Sequence, residues 1–122
     1  MENQFIPIEL ARQIKELNFN EPCFGGWDKD NIFTYHPDSD IILDAPLFQQ
    51  AFDWFRINHN LHVSIYHWHK DFADSMGHKQ WEGCVTHLTQ KRIGGNDFFD
   101  TYKEAQIYSI NLLIELVETK TI

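Results

Sequence analysis

The chain has 122 residues, of which 43% are hydrophobic, and its 18 acidic against 10 basic side chains give a net charge of −8. This is the size of one ordinary domain, able to bury a core without staples, and the composition is globular. The charge disfavours nucleic acid because it repels phosphate backbones, and no apolar run approaches the roughly 18–20 residues of a membrane span.

The first helix is expected to begin at Pro7, whose missing N–H costs nothing at a helix start. Leu10, Ala11, Ile14 and Leu17 recur at helical spacing, and Asn18 is a stop that tolerates the left-handed conformation. Phe19 then folds back onto that stripe. Residues 23–27, Cys-Phe-Gly-Gly-Trp, read as a short strand. Asp28 to Asn31 is turn chemistry, and Ile32 to Tyr35 is a second strand. Residues 36–40 form a polar loop, and Ile41-Ile42-Leu43 is too short to classify.

Asp44-Ala45-Pro46 sets a capping residue and a proline at the entrance of a second helix. Its buried face carries Phe48, Ala51, Phe52 and Phe55, broadened by Leu47 and Trp54 and closed by Asn58-His59-Asn60. Two longer strands follow, Leu61 to Tyr66 and Trp81 to Leu88, joined by a polar loop over 70–80. Leu61, Val63 and Ile65 alternate inward, which sends His62, Ser64, Tyr66 and Trp68 outward. Gln90 to Asn96, with Gly94-Gly95, reads as a further loop. Thr101 and Glu104 form a capping box that opens the last helix, which runs to about Glu118. The order is α-β-β-α-β-β-α, and hairpins imply antiparallel pairing. The expected fold is therefore one α+β domain over 1–122, with a four-stranded, mainly antiparallel sheet and helices packed mainly on one face.

Three stretches, Phe19 to Trp27, Asp44 to Arg56 and Thr101 to Leu116, resemble a family of small uncharacterised proteins from phages and prophages of Bacteroidota. That family is similar also in its Phe5 to Ala11 helix, and the Gln49-Gln50-Ala51-Phe52-Asp53-Trp54-Phe55-Arg56 run is the most specific part. The resemblance spans nearly the whole chain and carries no activity with it. It implies a small accessory binder inside the host cell. The histidine-rich central hairpin departs from the family pattern.

Candidate chemistry is sparse. Cys23 and Cys84 lie far apart in apolar surroundings and read as reduced, buried thiols. Met1-Glu2-Asn3-Gln4 lacks the basic start of a secretion signal, so a cytoplasmic location is expected, the host cytoplasm if the chain is phage-encoded. His67, His69 and His78 could supply metal ligands, since residues two apart on a strand share a face, but no motif fixes their geometry. The aspartates at 28, 30, 38, 40 and 44 occupy turns and helix starts, where Asp has structural reasons to sit. Gly25-Gly26 and Gly94-Gly95 are single pairs, read as turns or bulges rather than phosphate cradles. Lys70, Lys79, Lys91 and Arg92 near Trp68 and Trp81 make only a weak footprint for nucleic acid. The same acidity would equally suit a surface that imitates DNA. The chain reads as a non-enzyme without a cofactor.

What remains is an aromatic surplus. Tyr66, Trp68 and Trp81 are the candidate protein-binding residues, through which the chain would take a host or phage protein or a second copy of itself. The alternative is a small-ligand, nucleotide or metal module built on the histidine hairpin.

Overall fold

The computed structural model describes residues 4–88 and 92–119, with side chains at 92–96 left undescribed. Ten elements follow in order: α1 (Ile8–Glu16), β1 (Gly25–Trp27), β2 (Phe33–Tyr35), β3 (Leu43–Ala45), α2 (Phe48–His59), β4 (Leu61–His67), α3 (Lys70–Met76), β5 (Trp81–His87), β6 (Arg92–Phe99) and α4 (Tyr102–Glu118). The class is α+β. The strands form two antiparallel three-stranded sheets, β2-β1-β3 and β4-β5-β6, instead of the single four-stranded sheet expected. The chain divides into two compact units, Met1–Trp54 and Phe55–Ile122, with the boundary inside α2.

In the first unit, α1 buries Leu10, Ala11 and Ile14 and starts directly after Pro7. Its end is a Schellman closure. Asn18 is left-handed at φ 74°, its N–H reaches the Lys15 carbonyl, and the Phe19 N–H reaches the Ile14 carbonyl. Phe19 turns inward and sets its ring 5.5 Å from Trp54. The turn after β1 is held by the Asp28 carboxylate, which accepts from the N–H groups of Asp30 and Ile32. Asp38 does the same for Asp40. These carboxylates serve the backbone, as their positions in the sequence suggested.

One expectation fails here, and an unclassified stretch is resolved, for the same reason. The apolar triplet ending at Leu43 runs into a strand, β3, and Asp44 belongs to that strand opposite Gly26, so it caps no helix. Its side chain instead meets His36 Nε2 at 2.9 Å. α2 begins at Phe48, two residues beyond the proline. Backbone pairing with β1 outcompetes the local capping signal, because it satisfies more main-chain groups than one cap can. The buried face of α2 is as read, with Phe48, Ala51, Phe52, Trp54 and Phe55 all sequestered. It closes at Asn60, left-handed at φ 57°.

In the second unit, α4 lies against one face of the β4-β5-β6 sheet. Gly83 marks the closest approach: a Cβ placed there would sit 3.0 Å from Ser109 Oγ and 3.1 Å from the Tyr108 ring. Leu61, Val63 and Ile65 share that face with Gly83 and Val85, so the alternation of β4 points as expected. Of the capping box at α4 the Thr101 half is present, while the Glu104 carboxylate takes the Thr101 hydroxyl in place of its backbone N–H. Thr101 Oγ1 accepts from the Glu104 N–H at 3.1 Å and donates to Glu104 Oε1 at 2.9 Å. Thr101→Ala is expected to cost about 1 kcal/mol in denaturant unfolding, and an unchanged midpoint would show that the cap contributes nothing.

Two further corrections concern loops. Residues 92–99 pair with β5 as strand β6, where a loop over 90–96 was expected; residues 90 and 91 lie outside the described residues. Gly94 and Gly95 stand opposite Val85 and Cys84, between two register shifts, so this pair occupies a bulged strand. The polar loop over 70–80 contains α3. His69 Nδ1 accepts from the Asp71 N–H at its start, Gly77 closes it at φ 78°, and Ala73 is its buried contact.

Candidate functional site

The face of the β4-β5-β6 sheet turned away from α4 carries the candidate surface. Tyr66 pairs with Glu82, and Glu82 with Phe98, so these three side chains share that face. Just beyond β4 the chain turns into α3 and returns through His78, stacking aromatic rings in sequence. Trp68 lies 5.3 Å from Phe72 at an interplanar angle of 9° and 5.4 Å from His78. His78 in turn stacks on Phe98 at 4.1 Å. The Trp68 indole donates its Nε1–H to Glu82 Oε1 at 3.2 Å, which ties the ring to a carboxylate only 6% exposed. Tyr66 is 47%, Phe72 49% and Met76 62% exposed around this cluster.

Of the three candidate binding residues, Tyr66 and Trp68 join this surface and Trp81 does not. Trp81 pairs with His67 and Phe99, and its ring lies 5.2 Å from Tyr102 of α4. One residue of strand alternation separates it from Glu82, and that places it on the helix side. Phe72, Met76 and Phe98 were missed. Phe72 and Met76 stand four apart with Gly77 directly after, a helical spacing and stop that a reading of 70–80 as loop passes over.

The three candidate metal ligands are not brought together. His67 packs against Trp81 at 4.4 Å, His69 caps α3, and His78 stacks on Phe98 with Nδ1 2.7 Å from the Lys79 carbonyl oxygen. Among the described residues no three His, Cys, Asp or Glu side chains converge. The basic footprint is likewise divided. Lys70 pairs with Asp74 at 2.9 Å and Lys79 with Asp100 at 3.5 Å. Lys91 and the Arg92 side chain lie outside the described residues.

Both cysteines are free thiols, Cys84 buried and Cys23 partly so. Burial, reinforced by the negative charges of Asp44 and Glu21, pushes the Cys23 thiol up to about 12, which suppresses its thiolate. The first unit also has an open cleft of about 450 Å³ lined by Lys15, Asn18, Phe19, Glu21, Ile42 and Asp44. Its charges are mixed in sign and do not single out a ligand class. Gly25 and Gly26 are strand residues packed against neighbouring backbone, with no room for a phosphate.

The described residues make an α+β protein with two small antiparallel sheets, one of them flanked by a half-buried aromatic cluster whose Tyr66 and Phe72 are exposed. Comparison with protein-family models, curated proteins and solved structures gives no match. No helix among the described residues is long and apolar enough to cross a membrane.

Proposed function

We propose that this chain is a non-enzymatic accessory protein that works by protein–protein contact through the β4-β5-β6 sheet and the helix α3 beside it. The observation that carries this reading is the aromatic cluster around Trp68. Its ring is fixed by the Phe72 stack and the Glu82 hydrogen bond, while Tyr66, Phe72 and Met76 remain open beside it. Rigid aromatic groups of this kind bind with little ordering cost. The partner is a protein with an apolar knob inside a basic rim, because the chain carries a net charge of −8. The raised Cys23 thiol and the aspartates engaged in turns support the non-enzymatic part. The resemblance to phage and prophage proteins makes a host or phage protein in the host cytoplasm the natural source of that partner.

The test is capture from the lysate of a Bacteroidota host, comparing wild type with the double variant Phe72→Ser, Met76→Ser. Both side chains are exposed, so circular dichroism should be unchanged while capture is lost. Equal capture by the two proteins, or none by wild type, would sink the reading.

A further inference from the structure

β4 is an edge strand of the β4-β5-β6 sheet. Its seven residues pair with β5 in unbroken register, from Leu61↔His87 to His67↔Trp81. The flanking bonds fix which backbone groups face β5: the Trp68 N–H meets the Gln80 carbonyl, and the Leu88 N–H meets the Asn60 carbonyl. In an antiparallel ladder this makes the even-numbered residues of β4 the hydrogen-bonded pairs. The N–H and C=O groups of Leu61, Val63, Ile65 and His67 therefore point away from β5. Among the described residues, none of these groups bonds to any other segment.

Proteins guard such an edge with charges, prolines or bulges. β6, the opposite edge, carries two register shifts against β5. β4 has no guard: Leu-His-Val-Ser-Ile-Tyr-His contains no Asp, Glu, Lys, Arg or Pro, and its pairing with β5 shows no shift. A neutral, straight edge pairs without opposed charges with a strand that is itself neutral, and β4 of another copy is such a strand.

We infer that two copies of this chain join antiparallel through β4, with the two-fold axis at Ser64, to make one continuous six-stranded sheet. Only the odd-numbered residues have free backbone groups, so the register must pair odd with odd. Pairing Val63 with Ile65 of the second copy does this and uses the whole strand. Each such pair exchanges two hydrogen bonds and sets two β-branched side chains together on the helix side. His62 then stands opposite Tyr66, and Leu61 opposite His67, with no like charges opposed. Ser64 faces Ser64 across the axis. This inference rests on the reading of the sheet as the contact surface, but it employs the edge instead of the aromatic face.

The experiment is sedimentation of the full chain over about a hundredfold range of concentration, with Ser64→Lys and Ser64→Glu alone and mixed. Wild type should run at twice 14.5 kDa. Each variant alone opposes like charges at the axis and should dimerise at least about tenfold more weakly. Mixing them opposes unlike charges and should restore the dimer, which no general loss of folding could do. Circular dichroism of each variant confirms that the monomer is folded. A monomeric wild type, or a dimer that persists in both single variants, overturns the inference. Capture that depends on Phe72 and Met76 would survive either outcome, so the two readings fail separately.

Discussion

Phe55→Ala is expected to lower the unfolding free energy by about 3–5 kcal/mol, the usual cost of emptying a large buried aromatic site. Phe55 is 0% exposed on the inner face of α2, with its ring 5.9 Å from His59. The loss combines the transfer of the ring out of a dry site with the cavity it leaves, since a packed interior relaxes only in part. Against the roughly 5–15 kcal/mol of a typical domain, this is enough to unfold a marginal one. Phe52, which keeps 9% exposure beside Phe48, should fall at the lower end of the same range. Denaturant unfolding decides it: a change at Phe55 below about 1 kcal/mol would mean that α2 does not bury this face.

Gly26→Ala should be the most damaging small change in the first unit, at about 1–3 kcal/mol. A Cβ at Gly26 would collide with the Leu43 carbonyl oxygen and lie 2.6 Å from Ile41 Cγ2. The carbonyl belongs to the neighbouring strand, so it cannot rotate aside as a side-chain tip could. β1 is the central strand of β2-β1-β3, and moving it disturbs both ladders. Gly77 is the informative contrast. Its surroundings are open, and only its φ of 78° resists a side chain, so Gly77→Ala should cost about 1–2 kcal/mol through the backbone alone. Should Gly26→Ala unfold at the wild-type midpoint, the close packing of β1 on β3 would be wrong.

The aromatic surface was legible only in part, and the division is instructive. Tyr66 follows from period-two alternation along β4, a rule that needs no knowledge of the rest of the chain. Trp81 obeys the same rule, but its face depends on the residue it pairs with, and that is His67. Phe98 was out of reach because β6 reads locally as a glycine-containing loop, and its strand character comes from pairing with β5. α3 has only seven residues, and its signals are the Phe72–Met76 spacing, the side chain of His69 and the glycine at 77.

Local sequence specified α1, α2 and α4, with both ends of α1 and the start of α4. Pro7 starts α1 and Asn18 stops it, the aromatic stripe of α2 is spaced at helical intervals, and Thr101 with Glu104 opens α4. The β4–β5 hairpin was equally plain. All of these depend on residues within a few positions of one another, where sterics, capping and side-chain period act directly. The tertiary structure decided the rest. It made Leu43 to Ala45 a strand, drew residues 92–99 into the second sheet, and separated six strands into two sheets of three. Those outcomes depend on which distant backbone offers a hydrogen-bonding edge, and a strand's own residues specify its two faces far better than they specify its neighbour.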